Sequence, residues 1–409
     1  MSIVERFCRY AAIDTHSDED STTSPSTPNQ VEFNCKLREE LIAIGCQDVV
    51  LDQYGILTAT VPANKPNVPI IAWLAHVDTS PEVSSENIKP QVVENYQGQV
   101  LTLVGDPTQK LDPKEFPELN TVIGHTLITT DGTTLLGSDC KAGLTAIVEA
   151  AEHLLKHPEI PHGEIRLVFS VDEEIGQGTR HMNPERIKAD AAYTLDGGAT
   201  SMIDCETFSA DLATVTIEGI NTHPAHGKGH MVNALKIGAE LLARLPKVIL
   251  TPETSDGRQG FLHPYSFEGS VAHTEIKIIL RDFETPALAD YAKLLESLAV
   301  ALRAENPRAT IKVEVTKQYR NMREGLAKDP RALSYAEEAM RSLGITPERT
   351  IIRGGTDGSG LTEMGLPTPN LSSGQHNIHS RNEWTSVQEI DQTKQVLLAL
   401  ADVWYKHSL

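Results

Sequence analysis

Two histidines and five carboxylates sit in short polar segments that each close or open an apolar run. They are His76 and Asp78 in "AHVDTS", Asp139 in "GSDCKAG", Glu173 and Glu174 in "VFSVDEEIGQG", Asp196 in "TLDGG", and His379 in "QHNIHSRNEW". Imidazole nitrogens with carboxylate oxygens form a donor set that suits zinc, manganese or cobalt better than magnesium or calcium. Singly, each residue has an ordinary explanation: a satisfied buried histidine, an aspartate in a turn before two glycines, a solvated acidic triplet. Jointly, so many polar groups at one place would be costly without a function. The chemistry expected is that of a metal site.

For these residues to meet, the runs before them must end together. "VPIIAWLAHVDTS", "EIRLVFSVDEE" and "DAAYTLDGG" read as buried strands that end in polar residues. "GSDCKAGLTAIVEAAEHLLKH" reads as a Gly-Ser-Asp turn followed by a helix with Leu144, Ile147, Val148, Ala151 and Leu155 on its apolar side. Alternating helices and strands imply an α/β fold with a central, mostly parallel sheet flanked by helices, and ligands bind at the strand-end edge of such sheets. From about residue 208, the order becomes strand, helix, two strands, helix, strand, the split βαβ arrangement of a small domain. The expected organisation is a discontinuous catalytic domain, 1–207 and 319–409, with an inserted lid domain, 208–318. "SDEDSTTSPSTPN" and "TPETSDGRQGF" read as surface loops.

Composition narrows the function classes. The 409 residues include 36 Lys plus Arg against 56 Asp plus Glu, a net charge of −20. That balance argues against a nucleic-acid partner. No apolar run reaches the roughly 18 residues of a membrane helix, and "MSIVERFCRYAAID" reads as a charged amphipathic helix rather than a signal peptide. Cys8, Cys35, Cys46, Cys140 and Cys205 are scattered, odd in number and without a CxxC pair. Free thiols in a reducing compartment follow, and a cytoplasmic protein is expected. Cys140 reads as a small residue in a packed turn.

The motifs "HVDTSPE", "TTDGTTLLGSDCKAG", "PHGEIRLVFSVDEEIG", "TLDGG", "GINTHPAHGKGHMVNAL", "IILRDF", "YRNMRE" and "IIRGGTDGSGLTEMGLPTPNL" occur in this order over nearly the whole chain. Together they closely resemble the tripeptide aminopeptidases among the co-catalytic two-zinc peptidases. The resemblance implies a zinc-peptidase-like catalytic domain with a lid, a homodimer formed through that lid, and two zinc ions per subunit, with manganese or cobalt as substitutes. It assigns one metal to His76 and Asp196, the other to Glu174 and His379, with Asp139 bridging them and Glu173 as general base. His379 rather than His376 takes the ligand position. Cys140 departs from the pattern, which often has a second Asp there, at a position that is not a ligand. The resemblance also implies a cis peptide after Asp139.

Asp78 follows His76 by two residues and so shares its face if the strand continues; it is expected to accept the second ring N–H of His76. In the lid, "NTHPAHGKGH" allows an accessory metal site from His223, His226 and His230 or simply a polar loop. The resemblance selects His223 as the donor to the developing oxyanion, supplied across subunits. Asn233, Arg281 and Arg353 are its candidates for holding the peptide, although both arginines serve equally well in packing or ion pairs. The expected activity is release of the N-terminal residue from short peptides, tripeptides above all. A related dizinc dipeptidase, carboxypeptidase or N-acyl amino acid deacylase is the alternative. A non-catalytic peptide-binding homologue is disfavoured because every metal ligand and Glu173 are present.

Overall fold

The β-branched run ending at His76 forms the strand Ile71–His76, buried at every position. A strand apolar on both faces needs cover on both, and this one lies inside an eight-stranded sheet. In spatial order the strands are Gln47–Leu51, Leu57–Val61, Ile165–Ser170, Ile71–His76, Ala191–Gly197, Asn370–Ser372, Met202–Thr207 and Glu348–Ile352. Neighbours from Ile165–Ser170 through Asn370–Ser372 run parallel. Antiparallel pairs flank them, Leu57–Val61 on Ile165–Ser170 and Met202–Thr207 on Asn370–Ser372. The computed structural model describes residues 1–409.

The helix Ser138–Lys156 packs on the strands Ile71–His76 and Ala191–Gly197, and Val387–Lys406 packs on Ser138–Lys156 and Arg331–Ser342. Close approach requires Gly143: a Cβ there would lie 1.8 Å from the carbonyl oxygen of Leu195. The N-terminal helix Ile3–Ala11 opens with a capping box between Ser2 and Glu5 and also packs on Ser138–Lys156. A second, small sheet joins Gln375–His376, Trp384–Ser386, Leu127–Thr129 and Gln91–Val93.

The segment expected as a surface loop before Pro28 is only partly one. Asp18, Glu19 and Asp20 are exposed, but Ser17, Ser26 and Thr27 are buried. The reason is Asp172, which accepts hydrogen bonds from the Ser26 N–H and hydroxyl and from the Gln30 side chain.

The chain divides into two compact units. The first comprises Met1–Cys205, Glu324–Thr350 and Thr356–Leu409, the second Glu206–Arg323 with Ile351–Gly355. Arg353 therefore belongs to the second. That unit has the strand Ser209–Glu218, the helix Ala234–Arg244, the strands Phe261–Gly269 and His273–Asp282, the helix Thr285–Glu305 and the strand Thr310–Tyr319. The four strands pair antiparallel in the order second, third, first, fourth. Both helices cover one face, around a core that includes Val215, Ile217, Leu241, Ile276, Ile278, Leu295 and Leu302. No helix of the chain is long and apolar enough to cross a membrane.

Candidate metal centre

Parallel pairing brings strand ends to one edge, and the register aligns His76 with Ser170. Three residues beyond Ser170 the chain reaches Glu173 and Glu174 after Asp172, whose φ of 60° turns it sharply. The next strand in the sheet carries Asp196 near its end. Asp139 lies at the start of the helix Ser138–Lys156, where Asp139 and Cys140 have non-helical dihedrals and are joined by a cis peptide. His379, at φ 56°, closes the group from the loop after His376.

His76 Nε2 lies 3.0 Å from Asp139 Oδ1 and 3.5 Å from Asp196 Oδ1. His379 Nε2 lies 3.2 Å from Asp139 Oδ2 and 2.8 Å from Glu174 Oε2. Each oxygen of Asp139 thus faces a different imidazole. Although these distances are short, His379 Nε2 and Glu174 Oε1 are buried without a partner in hydrogen-bond geometry. Ligand atoms of His76, Asp139 and Glu174 all fall within 4.8 Å of one another. Buried imidazole nitrogens and carboxylate oxygens that converge on a common space, two of them without a hydrogen-bond partner, fit a divalent cation bound by nitrogen and oxygen.

The electrostatics show what the carboxylates lack. Burial, and then Asp139, push the Asp196 carboxyl up to about 7. The same two causes push Glu174 up to about 8. Burial raises Glu173 well above its ordinary value, with Asp196, Asp357 and Glu174 adding to the shift. Burial opposes the charged form of His379, but Asp139 and Glu174 outweigh it and raise the ring to about 11. Such crowding of like charge is relieved by a cation.

Cys140 is close enough to His76 and Asp196 to join a cluster, yet its Sγ donates to the Leu195 carbonyl at 2.9 Å. Burial holds the thiol well above its ordinary value. It packs as expected.

Asp78 acts differently from the expectation. The His76 Nδ1 position meets the main-chain carbonyl of Asp78 at 3.0 Å, whereas the nearest Asp78 carboxylate oxygen is 3.5 Å away. That carboxylate instead accepts the backbone N–H groups of Glu173 at 3.1 Å and Glu174 at 3.0 Å. The strand stops at His76, so the two-residue alternation does not carry the Asp78 side chain back to the ring. His376 lies outside the group, stacked on Trp384 at 3.8 Å and bonded to Glu389 at 2.9 Å.

Several supporting residues escaped sequence reasoning. Glu383 is buried; its Oε2 accepts from the N–H groups of Leu136 and Gly137, and its Oε1 from the Ser138 hydroxyl and the Asp139 N–H. Gln375 donates to the Asp196 carbonyl and carboxylate at 3.1 and 3.2 Å, and Asn370 accepts from the Asp196 N–H. Asp357 accepts from Ser170 at 2.5 Å, and burial raises its carboxyl to about 6. Lys141, fully buried, donates to the Ile13 carbonyl at 2.7 Å, and burial lowers it to about 7. Only the polarity of "SRNEW" and "RGGTDG" signalled any of these.

The remaining candidates lie in the second unit. His223 is exposed, and its Nδ1 accepts from the Ala225 N–H. Its ring centroid is 5.8 Å from that of His226. Asn233 caps the helix Ala234–Arg244 through the Lys236 N–H. Arg281 donates to Gln318 at 2.8 Å and lies over the Tyr319 ring. Arg353 donates to the carbonyls of Ser255, Gly257 and Gln259 and lies over Phe208 and Phe261. These contacts are those of a packing residue.

A largely parallel sheet whose strand-end edge gathers two imidazoles around one shared carboxylate belongs to the metal-using hydrolases. The particular family follows from likeness: residues 129–403 match the model of Peptidase family M20/M25/M40, and the chain belongs to that family. It is 43% identical over 405 residues to Peptidase T of Caldanaerobacter subterraneus subsp. tengcongensis, covering 99% of each chain. Two solved structures are similar throughout: aminopeptidase PepT from Bacillus cereus, with a TM-score of 0.75, 24% identity and 98% of each chain covered, and a tripeptidase from Staphylococcus aureus, with a TM-score of 0.77, 23% identity and 99% and 98% covered.

Proposed function

We propose that the chain is an aminopeptidase that releases the first residue of short peptides, preferring tripeptides, and that it uses two divalent cations, zinc by preference with manganese or cobalt as substitutes. Family membership and full-length likeness to a Peptidase T support the activity. The observation that carries the two-cation reading is Asp139, with one carboxylate oxygen toward His76 at 3.0 Å and the other toward His379 at 3.2 Å. His76 and Asp196 would hold one cation, Glu174 and His379 the other, and Asp139 both. Such a pair supplies Lewis-acid polarisation of a carbonyl and a water made acidic near neutral pH.

The protein's own groups then divide the work. Glu173, fixed at its backbone by Asp78 and made more basic by burial than an ordinary carboxylate, takes a proton from the attacking water and returns it to the departing amine. Asp78 keeps Glu173 and Glu174 in register, so that two adjacent carboxylates serve two roles. His223 donates to the developing oxyanion, reaching it across a homodimer formed through the second unit, while Asn233 and Arg281 hold the peptide. Arg353 shapes that unit through its carbonyl contacts and remains a weaker candidate for touching substrate. Five free cysteines support a reducing, cytoplasmic setting.

The test is a small peptide panel read by mass spectrometry. A free tripeptide is cut after its first residue; N-acetylation nearly abolishes cleavage, and C-terminal amidation weakens it. Dipeptides and long peptides are poorer substrates. Release of the C-terminal residue would overturn the reading in favour of a carboxypeptidase, and preference for the acetylated peptide in favour of a deacylase. Glu173→Gln is expected to keep the metals and lose about 10² to 10⁴-fold in turnover, as removal of a general base does.

A further inference from the structure

The sheet is unevenly covered at its first edge. One face of Gln47–Leu51 and Leu57–Val61 packs on the 17-residue helix Pro28–Ile44. The other face carries alternate residues, Asp48, Val50 and Asp52 from the first strand and its end, Thr58 and Thr60 from the second, Arg166 and Val168 from the third. Its lid is short: the residues from His181 to Ile187, including one four-residue helical turn. Under-coverage leaves a cavity of about 220 Å³, with a smaller recess of about 40 Å³ sharing the walls at Asp48, Arg166 and Arg186. The larger volume exceeds the 150 Å³ or so that holds a benzene and falls short of a drug-sized pocket.

Its lining is sorted by chemistry. Val50, Ile56, Val168, Met182 and Ile187 make an apolar floor. Two cations and two anions stand around it in loose pairs, Arg186 with Asp52 at 3.6 Å and Arg166 with Asp48 at 4.0 Å. Arg166 is held by the Thr60 hydroxyl at 2.6 Å and by Glu164 at 2.5 Å, yet its Nε is buried with no hydrogen-bond partner. Asp52 uses Oδ1 for the N–H groups of Tyr54 and Ile56, leaving Oδ2 toward Arg186. The lid is pinned to that turn by His181 stacked on Tyr54 at 3.9 Å.

We propose that this cavity is a second ligand site, separate from the metal centre, that binds the zwitterion of an apolar α-amino acid. The carboxylate enters the recess between Arg166 and Arg186, the ammonium meets Asp48 and Asp52, and the side chain covers the apolar floor. Arg166 keeps Glu164 as its close partner at 2.5 Å, while the looser Arg186–Asp52 and Arg166–Asp48 contacts leave the cavity a cationic and an anionic side, so a zwitterion meets both and a simple anion or a simple amine meets only one.

Calorimetric titration of the metal-loaded protein with L-leucine tests it, with L-leucinamide and 4-methylpentanoate as probes lacking one charge each. Leucine is expected to bind, and each probe to bind about tenfold or more weaker, as loss of a charge-assisted hydrogen bond implies. Arg186→Gln is expected to weaken leucine by a similar factor, and Thr58→Phe, which fills the cavity from the sheet, to remove this binding, both with peptide hydrolysis unchanged. Leucine affinity unaltered by Arg186→Gln and Thr58→Phe would overturn the proposal, since binding would then be product at the metal centre. Equal affinity for leucine and leucinamide would also overturn it. Failure of peptide hydrolysis would sink the aminopeptidase reading and leave this titration unaffected.

Discussion

Asp139 can offer one oxygen to each imidazole because its main chain is held from behind. Glu383 does the holding, with two donors on each carboxylate oxygen along Leu136–Asp139. In Glu383→Gln one oxygen becomes an NH₂ that faces N–H or O–H donors, so about half of these bonds are lost in a buried place. A loss of roughly 2 to 5 kcal/mol is expected, together with weaker metal retention, and Glu383→Asp should recover neither fully. Denaturant melts with elemental analysis check it, and wild-type stability with full metal content in Glu383→Gln would refute the role. The contrast with the candidate ligands explains what could be read beforehand. His76, Asp139, Glu174, Asp196 and His379 were legible because their types are unusual at the ends of apolar runs. Glu383 and Asp357 were not, since a buried carboxylate satisfied by N–H or O–H donors looks in sequence like any member of a polar loop. Asp172 shows the same limit: it reads as one of three solvated acids and instead anchors Ser26 and Gln30.

At the scale of elements, the helix Ser138–Lys156 and the strand Ala191–Gly197 bring Asp139 and Asp196 to one edge. Their spacing is set by Gly143 against the Leu195 carbonyl. Gly143→Ala would put a methyl 1.8 Å from that oxygen, so the helix must move outward and carry Asp139 with it. Expected are a fall in stability of about 3 kcal/mol or more, despite alanine's better helix propensity, and reduced metal content. A Gly143→Ala protein as stable as the parent would show that the helix can shift without consequence. The long strands and helices were legible from their periods and their turn residues, down to the strand-helix-strand-strand-helix-strand order of the second unit. The sheet that joins Gln91–Val93, Leu127–Thr129, Gln375–His376 and Trp384–Ser386 was not, because two or three residues carry no period. The irregular start of Ser138–Lys156 was legible, as a Gly-Ser-Asp turn before the helix and, through the resemblance, as a cis peptide after Asp139, and the dihedrals of Asp139 and Cys140 are indeed non-helical.

The whole molecule has two cores, and the candidate metal ligands all belong to the first. The first unit contains every candidate ligand and a core built around Trp73, Leu144, Val168, Phe169, Tyr193, Leu397 and Trp404. The second has a separate core around its own four-stranded sheet and no candidate ligand of the metal centre. Anything that binds the folded state stabilises the part of the chain whose folding creates the site, by about 2.7 kcal/mol when free ligand exceeds its dissociation constant a hundredfold. At roughly 2 to 4 °C per kcal/mol for a domain of such size, chelation should lower the melting of the first unit by about 5 to 10 °C. The second unit should melt where it did before. Scanning calorimetry of the full chain, with and without a chelator, separates the cases: one component of the transition moves and the other stays. A single transition that moves as a whole would mean that the two cores fold as one cooperative system, and that the metal centre stabilises the second unit as much as the first.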